Sequence, residues 1–173
     1  SVLTRARFIR LLQVSTNPNL LKTPIENYYS EQGLSSELFI DDQDIISDIL
    51  KYEEIETPSK FIETRKLVEE IIKRGEKVII WTTFIQNAKE LQQYLLLSNI
   101  ESKLLIGEIP VENDNQPQLF ETRESIIREF HNPNSSFKAA IANPFAVAES
   151  ISLHKACHNA IYLERNFNAS NFL

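Results

Sequence analysis

The chain of 173 residues has no methionine, one cysteine and three glycines. Each scarcity removes a class of protein. Without methionine, even at position 1, the sequence reads as a piece of a longer or processed chain. A single cysteine cannot close an internal disulfide, so a stapled secreted scaffold is excluded and a reducing, intracellular setting is expected. Glycine stands far below its average usage of about 7%. Gly33, Gly75 and Gly107 lie too far apart to build a glycine-rich phosphate loop, and no Gly-Lys-Ser/Thr occurs. No apolar run reaches the roughly 18 to 20 residues that cross a bilayer. The first residues lack the apolar stretch and small-residue cleavage site of a secretion signal, so no membrane partner is expected.

What is present suffices for one packed core, since 42% of the residues are hydrophobic. Charge is unevenly spread. Residues 1–24 hold Arg5, Arg7, Arg10 and Lys22 without an acid, whereas residues 25–56 set ten acids against Lys51. The first segment is either a solvated helix face or a surface for nucleic acid or a partner. The second repels phosphate.

The apolar pattern divides the chain. TRARFIRLLQV, residues 4–14, spaces Phe8, Leu11 and Leu12 as a helix does, and it should stop before Asn17-Pro18 because a residue preceding proline avoids the α region. NPNLLKTP then reads as a turn and linker. A short helix is expected from about Asp42. Thr57-Pro58-Ser59 marks its end, with Thr57 or Ser59 as the cap of the next helix. Residues 1–57 are thus expected to be a helix and acidic linker, leading into a lobe over residues 58–173.

Within that lobe, Phe61, Leu67, Val68, Ile71 and Ile72 form a helical stripe ended by Lys73-Arg74-Gly75. VIIW (78–81), KLLI (103–106), FKAAIA (137–142) and NAIYL (159–163) are strand candidates, and Trp81 is expected in the core. Between them, residues 85–97 repeat Ala88, Leu91 and Leu95, and residues 119–130 place Phe120, Ile126, Ile127 and Phe130 on a helix. Strands alternating with helices predict an α/β fold, a parallel sheet flanked by helices on both faces. Ligands of such sheets bind beyond the carboxyl ends of the strands. That directs attention to Thr82-Thr83-Phe84, Gly107, Asn143-Pro144-Phe145 and Glu164-Arg165-Asn166.

SLHKACH, residues 152–158, gathers His154, Cys157 and His158. A zinc site needs three or four ligands in paired motifs, and the remaining histidine, His131, is far off in sequence. Adjacent Cys157 and His158 tend to point apart, against a nucleophile pair. Packing, with Cys157 as a small buried hydrophobe, is the expectation, and no metal site is expected.

RARFIRLLQVSTNPNLL, PSKFIETRKLVEEIIKRGEKVIIWTTF, ETRESIIREF and AIYLERNFNASNFL resemble, in order and spacing, the second RecA-like lobe of Swi/Snf-type superfamily 2 ATPases. GEKVIIWTTF is similar to helicase motif IV, residues 142–154 occupy the place of motif V, and YLERNFNASNFL resembles the segment running into motif VI. The resemblance implies a RecA-like three-layer domain that closes, with the first RecA-like lobe of the same chain, on ATP and Mg, and that tracks DNA, most simply double-stranded. It implies nucleic-acid contacts at Thr82, Thr83, Asn143 and Ser150, and a nucleotide cleft touched by Glu149, Ser152, His154 and Arg165. Arg165 could pair with Glu164 or reach across the cleft. Glu149-Ser150-Ile151-Ser152-Leu153 stands where the family favours Gly-Gly-Leu-Gly-Leu, so side chains replace bare backbone.

The first lobe of that family carries the phosphate loop and the magnesium-binding acids, and motif VI, expected after Leu173, carries the arginine finger. The chain alone is therefore expected to hold no cofactor and to hydrolyse no ATP. The form of the motif V region resembles prokaryotic relatives found beside restriction and defence functions, which implies a cytoplasmic protein; a eukaryotic one would be nuclear. Two other readings stay open. One is a stand-alone α/β binding or regulatory module. The other is an unrelated doubly wound enzyme such as a methyltransferase, against which stands the missing glycine-rich loop after the first strand.

Overall fold

A computed structural model describes residues 2–32, 43–112, 120–147 and 153–165. The chain divides into two compact units, Ser1–Ile62 and Glu63–Leu173, with the division falling inside one helix.

The first unit is helical. α1 spans Val2–Thr16, and a 3-10 turn over Pro18–Leu21 succeeds it. Asn17 makes the junction: it is fully buried, its side chain accepts from the Asn19 N–H at 3.1 Å, and Pro18 takes the first helical position, where its missing N–H costs nothing. α2 (Lys22–Gln32) continues directly, so NPNLLKTP is folded and not the expected linker. Pro24 is tolerated there because it sits in the first turn, whose N–H groups have no partner within the helix. α3 (Gln43–Leu50) and α4 (Tyr52–Ile55) also belong to the unit, both touching the 3-10 turn, and Lys22 pairs with Glu53 at 3.0 Å.

α5 spans Ser59–Lys73 and starts where the Pro58 carbonyl accepts from the Phe61 and Ile62 N–H groups. Its buried stripe in the second unit is Thr64, Val68 and Ile71. Leu67, expected on that stripe, lies at its flank and is 47% exposed. Gly75 ends the helix with φ of 80°, the left-handed conformation that glycine adopts without cost.

Among the described residues the sheet has four parallel strands: β1 (Val78–Trp81), β2 (Ser102–Leu105), β3 (Ala139–Ala142) and β4 (Asn159–Tyr162), in the order β2-β3-β1-β4. Connections leaving the two central strands thus run toward opposite edges. α6 (Ile85–Leu97) joins β1 to β2 and buries Ala88, Leu91 and Leu95 completely, as its pattern predicts. α7 (Arg123–His131) lays Ile126 and Phe130 on the face carrying Ile79, Leu105, Ala140 and Ala142, with Trp81 packed at its margin. The other parity of the strands, Val78, Ile80 and Ile141, is equally buried, so the sheet is covered on both faces. α8 (Pro144–Val147) and a 3-10 turn at Leu153–Lys155 occupy the stretch between β3 and β4.

α7 begins later than the apolar pattern suggests. Thr122 and Ser125 form a reciprocal capping box at Arg123, with bonds of 3.1 and 2.9 Å. Phe120 therefore lies outside the helix and is 78% exposed. The far end of α7 is closed by Lys77, whose ammonium donates to the carbonyls of Phe130 and Asn132 and lies 5.3 Å from the Phe130 ring centroid. Burial pulls the Lys77 ammonium below its ordinary pKa.

Phe130 is fully buried and stacks on Phe137 at 5.8 Å between ring centroids. Its replacement by alanine is expected to cost about 3 to 5 kcal/mol in urea unfolding followed through Trp81, the sole tryptophan. A loss below about 1 kcal/mol would place α7 outside the cooperative core.

Candidate functional site

The strand exits converge because the strands are parallel. β1 and β4 run side by side with Trp81 opposite Tyr162, and two residues further on that register sets Thr83 opposite Glu164. Glu164 is 4% exposed. Its Oε1 accepts from the Thr82 hydroxyl at 2.6 Å, the Thr83 N–H at 2.7 Å and the Phe84 N–H at 3.3 Å, and its Oε2 accepts from the Asn87 side-chain amide at 3.5 Å. An ionised carboxylate is acceptor-only, and this set of donors matches it. Phe84 at the N-cap of α6 supplies no side-chain cap. The Glu164 charge stands there instead, at the positive end of the helix.

Asn143 ties the neighbouring exit. Its side-chain amide donates to the Thr83 carbonyl at 2.9 Å, its Oδ1 accepts from the Phe145 N–H at 2.9 Å, and its own N–H donates to the Leu105 carbonyl at 3.0 Å. Thr82, Thr83 and Asn143, expected from the sequence, are thus brought together, with Glu164 as their hub. Thr82 is 1% exposed and its hydroxyl faces the carboxylate. The Thr83 hydroxyl oxygen is likewise buried but finds no hydrogen-bond partner among the described residues.

Arg165 is exposed, with its guanidinium carbon 4.9 Å from the centroid of the Tyr162 ring. Glu149, Ser150 and Ser152 lie outside the described residues, and for His154 the backbone alone, in the second 3-10 turn, is described. Cys157 is buried, and its Sγ–H is shared between the carbonyls of Lys77 at 3.0 Å and Asn159 at 3.2 Å. His158 next to it is exposed. Among the described residues no three His, Cys, Asp or Glu side chains converge as metal ligands would.

Sequence reasoning noted Glu164 as a strand-exit residue but not as the hub, and it missed Asn87. The signal for both lies in strand order: only once β4 is known to flank β1 does the acid ending AIYLE meet the hydroxyl and amides of TTFIQN.

No protein-family model matches the chain, and no curated protein does. Solved structures resemble it. The C-terminal part of the Fun30 ATPase domain is similar over 89% of this chain and 41% of its own, at 21% identity and a TM-score of 0.56. The Pyrococcus furiosus Hef helicase domain is similar over 92% of this chain and 33% of its own, at 18% identity and a TM-score of 0.61. For the Sulfolobus solfataricus SWI2/SNF2 ATPase core in complex with dsDNA the shares are 86% and 32%, at 22% identity and a TM-score of 0.51. The chain spans less than half the length of each. These likenesses establish the fold as the RecA-like α/β fold of helicase-type ATPase domains, a parallel sheet flanked by helices.

Replacing Glu164 by glutamine would turn an amide donor toward donors, and is expected to cost about 2 to 3 kcal/mol in urea unfolding. Thr82→Val measured in both backgrounds should show a coupling of about 1 to 2 kcal/mol, and independent effects would refute the hydroxyl–carboxylate contact. Burial pushes the Cys157 thiol pKa up. The folded thiol keeps its proton to higher pH than the unfolded one, so its contribution to stability is full below the unfolded pKa and is lost as pH rises through the folded value. Iodoacetamide at pH 8 should therefore alkylate native Cys157 only as fast as the protein opens. Modification at the rate of a free thiol would overturn this assignment.

Proposed function

We propose that the chain is the second motor lobe of a Swi/Snf-type DNA-dependent ATPase, acting by translocation along double-stranded DNA. The observation that carries this reading is the strand-exit arrangement: the loop leaving β1, where the family's motif IV would meet DNA, is held in a fixed conformation by Glu164 and Asn143. The RecA-like fold, and the likeness to a Sulfolobus solfataricus core whose structure contains dsDNA, support it. Residues 58–173 would form the lobe and residues 1–57 the segment leading into it.

Within the lobe the proposed roles divide by what each polar group already does. Thr82 and Asn143 commit their side chains to Glu164 and Thr83, so they support the nucleic-acid surface from beneath. Thr83 and Ser150 are the proposed contacts to the phosphate backbone of the tracked strand, and because the Thr83 hydroxyl oxygen is buried without a partner among the described residues, that contact requires the β1 exit to shift. Glu149, Ser152, His154 and Arg165 are assigned to the nucleotide cleft, where residues 149–153 substitute side chains for the family's glycines.

ATP and Mg would be held mainly by a first RecA-like lobe in the same protein. No phosphate loop occurs in these residues, and without that cradle and an arginine finger, terms that reach orders of magnitude in rate are missing. The isolated chain is accordingly inactive in this reading. Its cellular setting would be the cytoplasm of a prokaryote, near restriction or defence proteins.

The test is ATP hydrolysis by the full-length protein that carries this chain, measured alone, with double-stranded DNA and with RNA. Stimulation by double-stranded DNA of about tenfold or more is expected, and none from the isolated chain. A rate that stays flat across both nucleic acids would sink the translocase reading. A full-length protein without a phosphate-loop lobe would turn it into a stand-alone regulatory module.

A further inference from the structure

The four strand exits are joined in one hydrogen-bonded line, and Arg123 closes its far end. Arg123 opens α7. Its Nε donates to the Ile109 carbonyl at 3.1 Å, its Nη1 to the Ala146 carbonyl at 2.9 Å and its backbone N–H to the Pro110 carbonyl at 2.9 Å. One side chain thereby bridges the loop leaving β2 and the helical turn leaving β3. From there the Ala146 N–H bonds the Asn143 carbonyl at 3.0 Å, the Asn143 amide bonds Thr83, and the Thr83 N–H bonds Glu164 at the end of β4. The ties run in the order of the strands in the sheet, β2-β3-β1-β4.

The β2 exit has other anchors. Glu112 accepts two bonds from Arg128 at 2.7 and 3.1 Å, its N–H donates to Glu124 at 2.8 Å, and Lys89 pairs with Glu108 at 2.6 Å. What Arg123 adds is the grip on Ala146. α8 has only four residues, and the carbonyl of its third, Ala146, is taken by Arg123. A planar guanidinium can hold two carbonyls on different loops in fixed relation; a lysine ammonium is a point charge that does so less rigidly.

We propose that Arg123 is a positioning residue: it holds α8 against the β2 exit and, through Asn143, fixes the backbone of Thr83 at the surface assigned to nucleic acid. The functional half rests on the motor-lobe reading above. Hydrogen exchange in this chain tests the tie, and kinetics of the full-length protein tests its use. In Arg123→Gln the Phe145 and Ala146 amides should exchange about tenfold faster while those of β1 and β3 keep their protection, and Arg123→Lys should fall between. In the full-length protein the DNA-stimulated kcat should drop about tenfold with the KM for ATP within about twofold, again with partial recovery in Arg123→Lys. Unchanged exchange at 145–146, or acceleration spread equally over β1 and β3, would overturn the tie. Local loosening with an unchanged kcat would overturn its role. Should Arg123→Gln fail to fold, Arg123→Lys carries both measurements. A wild-type protein without DNA stimulation would refute the motor reading and the functional half with it, leaving the exchange pattern to decide the tie.

Discussion

Glu164 brings a carboxylate to 4% exposure, and that burial is tolerable only because a hydroxyl, two backbone N–H groups and a side-chain amide converge on it. The requirement propagates outward. Thr82, Thr83 and Phe84 can reach one carboxylate only if the chain turns sharply out of β1 before α6 begins. β4 must lie beside β1 in the observed register. The helix start needs no cap of its own, since the acid supplies the negative charge that Phe84 does not. One side chain thus sets the neighbour of the central strand, the exit loop and the first turn of the helix after it.

That arrangement separates two kinds of polar residue at the same edge. Thr82 and Glu164 are buried and bond each other, Asn143 is buried and holds the Thr83 carbonyl, and the Thr83 hydroxyl oxygen is buried without a partner among the described residues, whereas Arg165 is exposed and Phe145 is 66% exposed. The sequence pattern places all of these positions at strand exits without telling them apart. Geometry separates the scaffold from what it presents, and a substitution at Thr82 would act through Glu164 and Thr83.

The parts of the fold legible in the sequence are those decided locally. VIIW announces a strand covered on both faces, Ala88, Leu91 and Leu95 announce a buried helical stripe, and Asn17-Pro18 ends α1 through the restriction that proline puts on the residue before it. Expectations failed where a non-local or subtler choice decided. NPNLLKTP folds because the Asn17 side chain and two first-turn prolines make a helical path available, and Phe120 leaves α7 because the capping box lies two residues beyond it. The site was half legible. Strand-exit residues can be named from the pattern, but which exits touch depends on strand order. Arg123, read alone, is another cation in a helix's first turn.

The two ends of the sheet use their polar groups differently. At the amino end of β1, the Lys77 ammonium is committed to two carbonyls of α7's terminus and the Cys157 thiol to the Lys77 and Asn159 carbonyls. Those contacts run from layer to layer, locking helix α7 and the approach to β4 onto the sheet. At the carboxyl end the ties run along the edge instead, from Ile109 through Arg123, Ala146, Asn143 and Thr83 to Glu164. A row of loops cross-linked in that direction resists splaying. A ligand pressing on any one loop would then be felt by its neighbours, because displacing it strains hydrogen bonds that end on the buried side chains of Asn143 and Glu164.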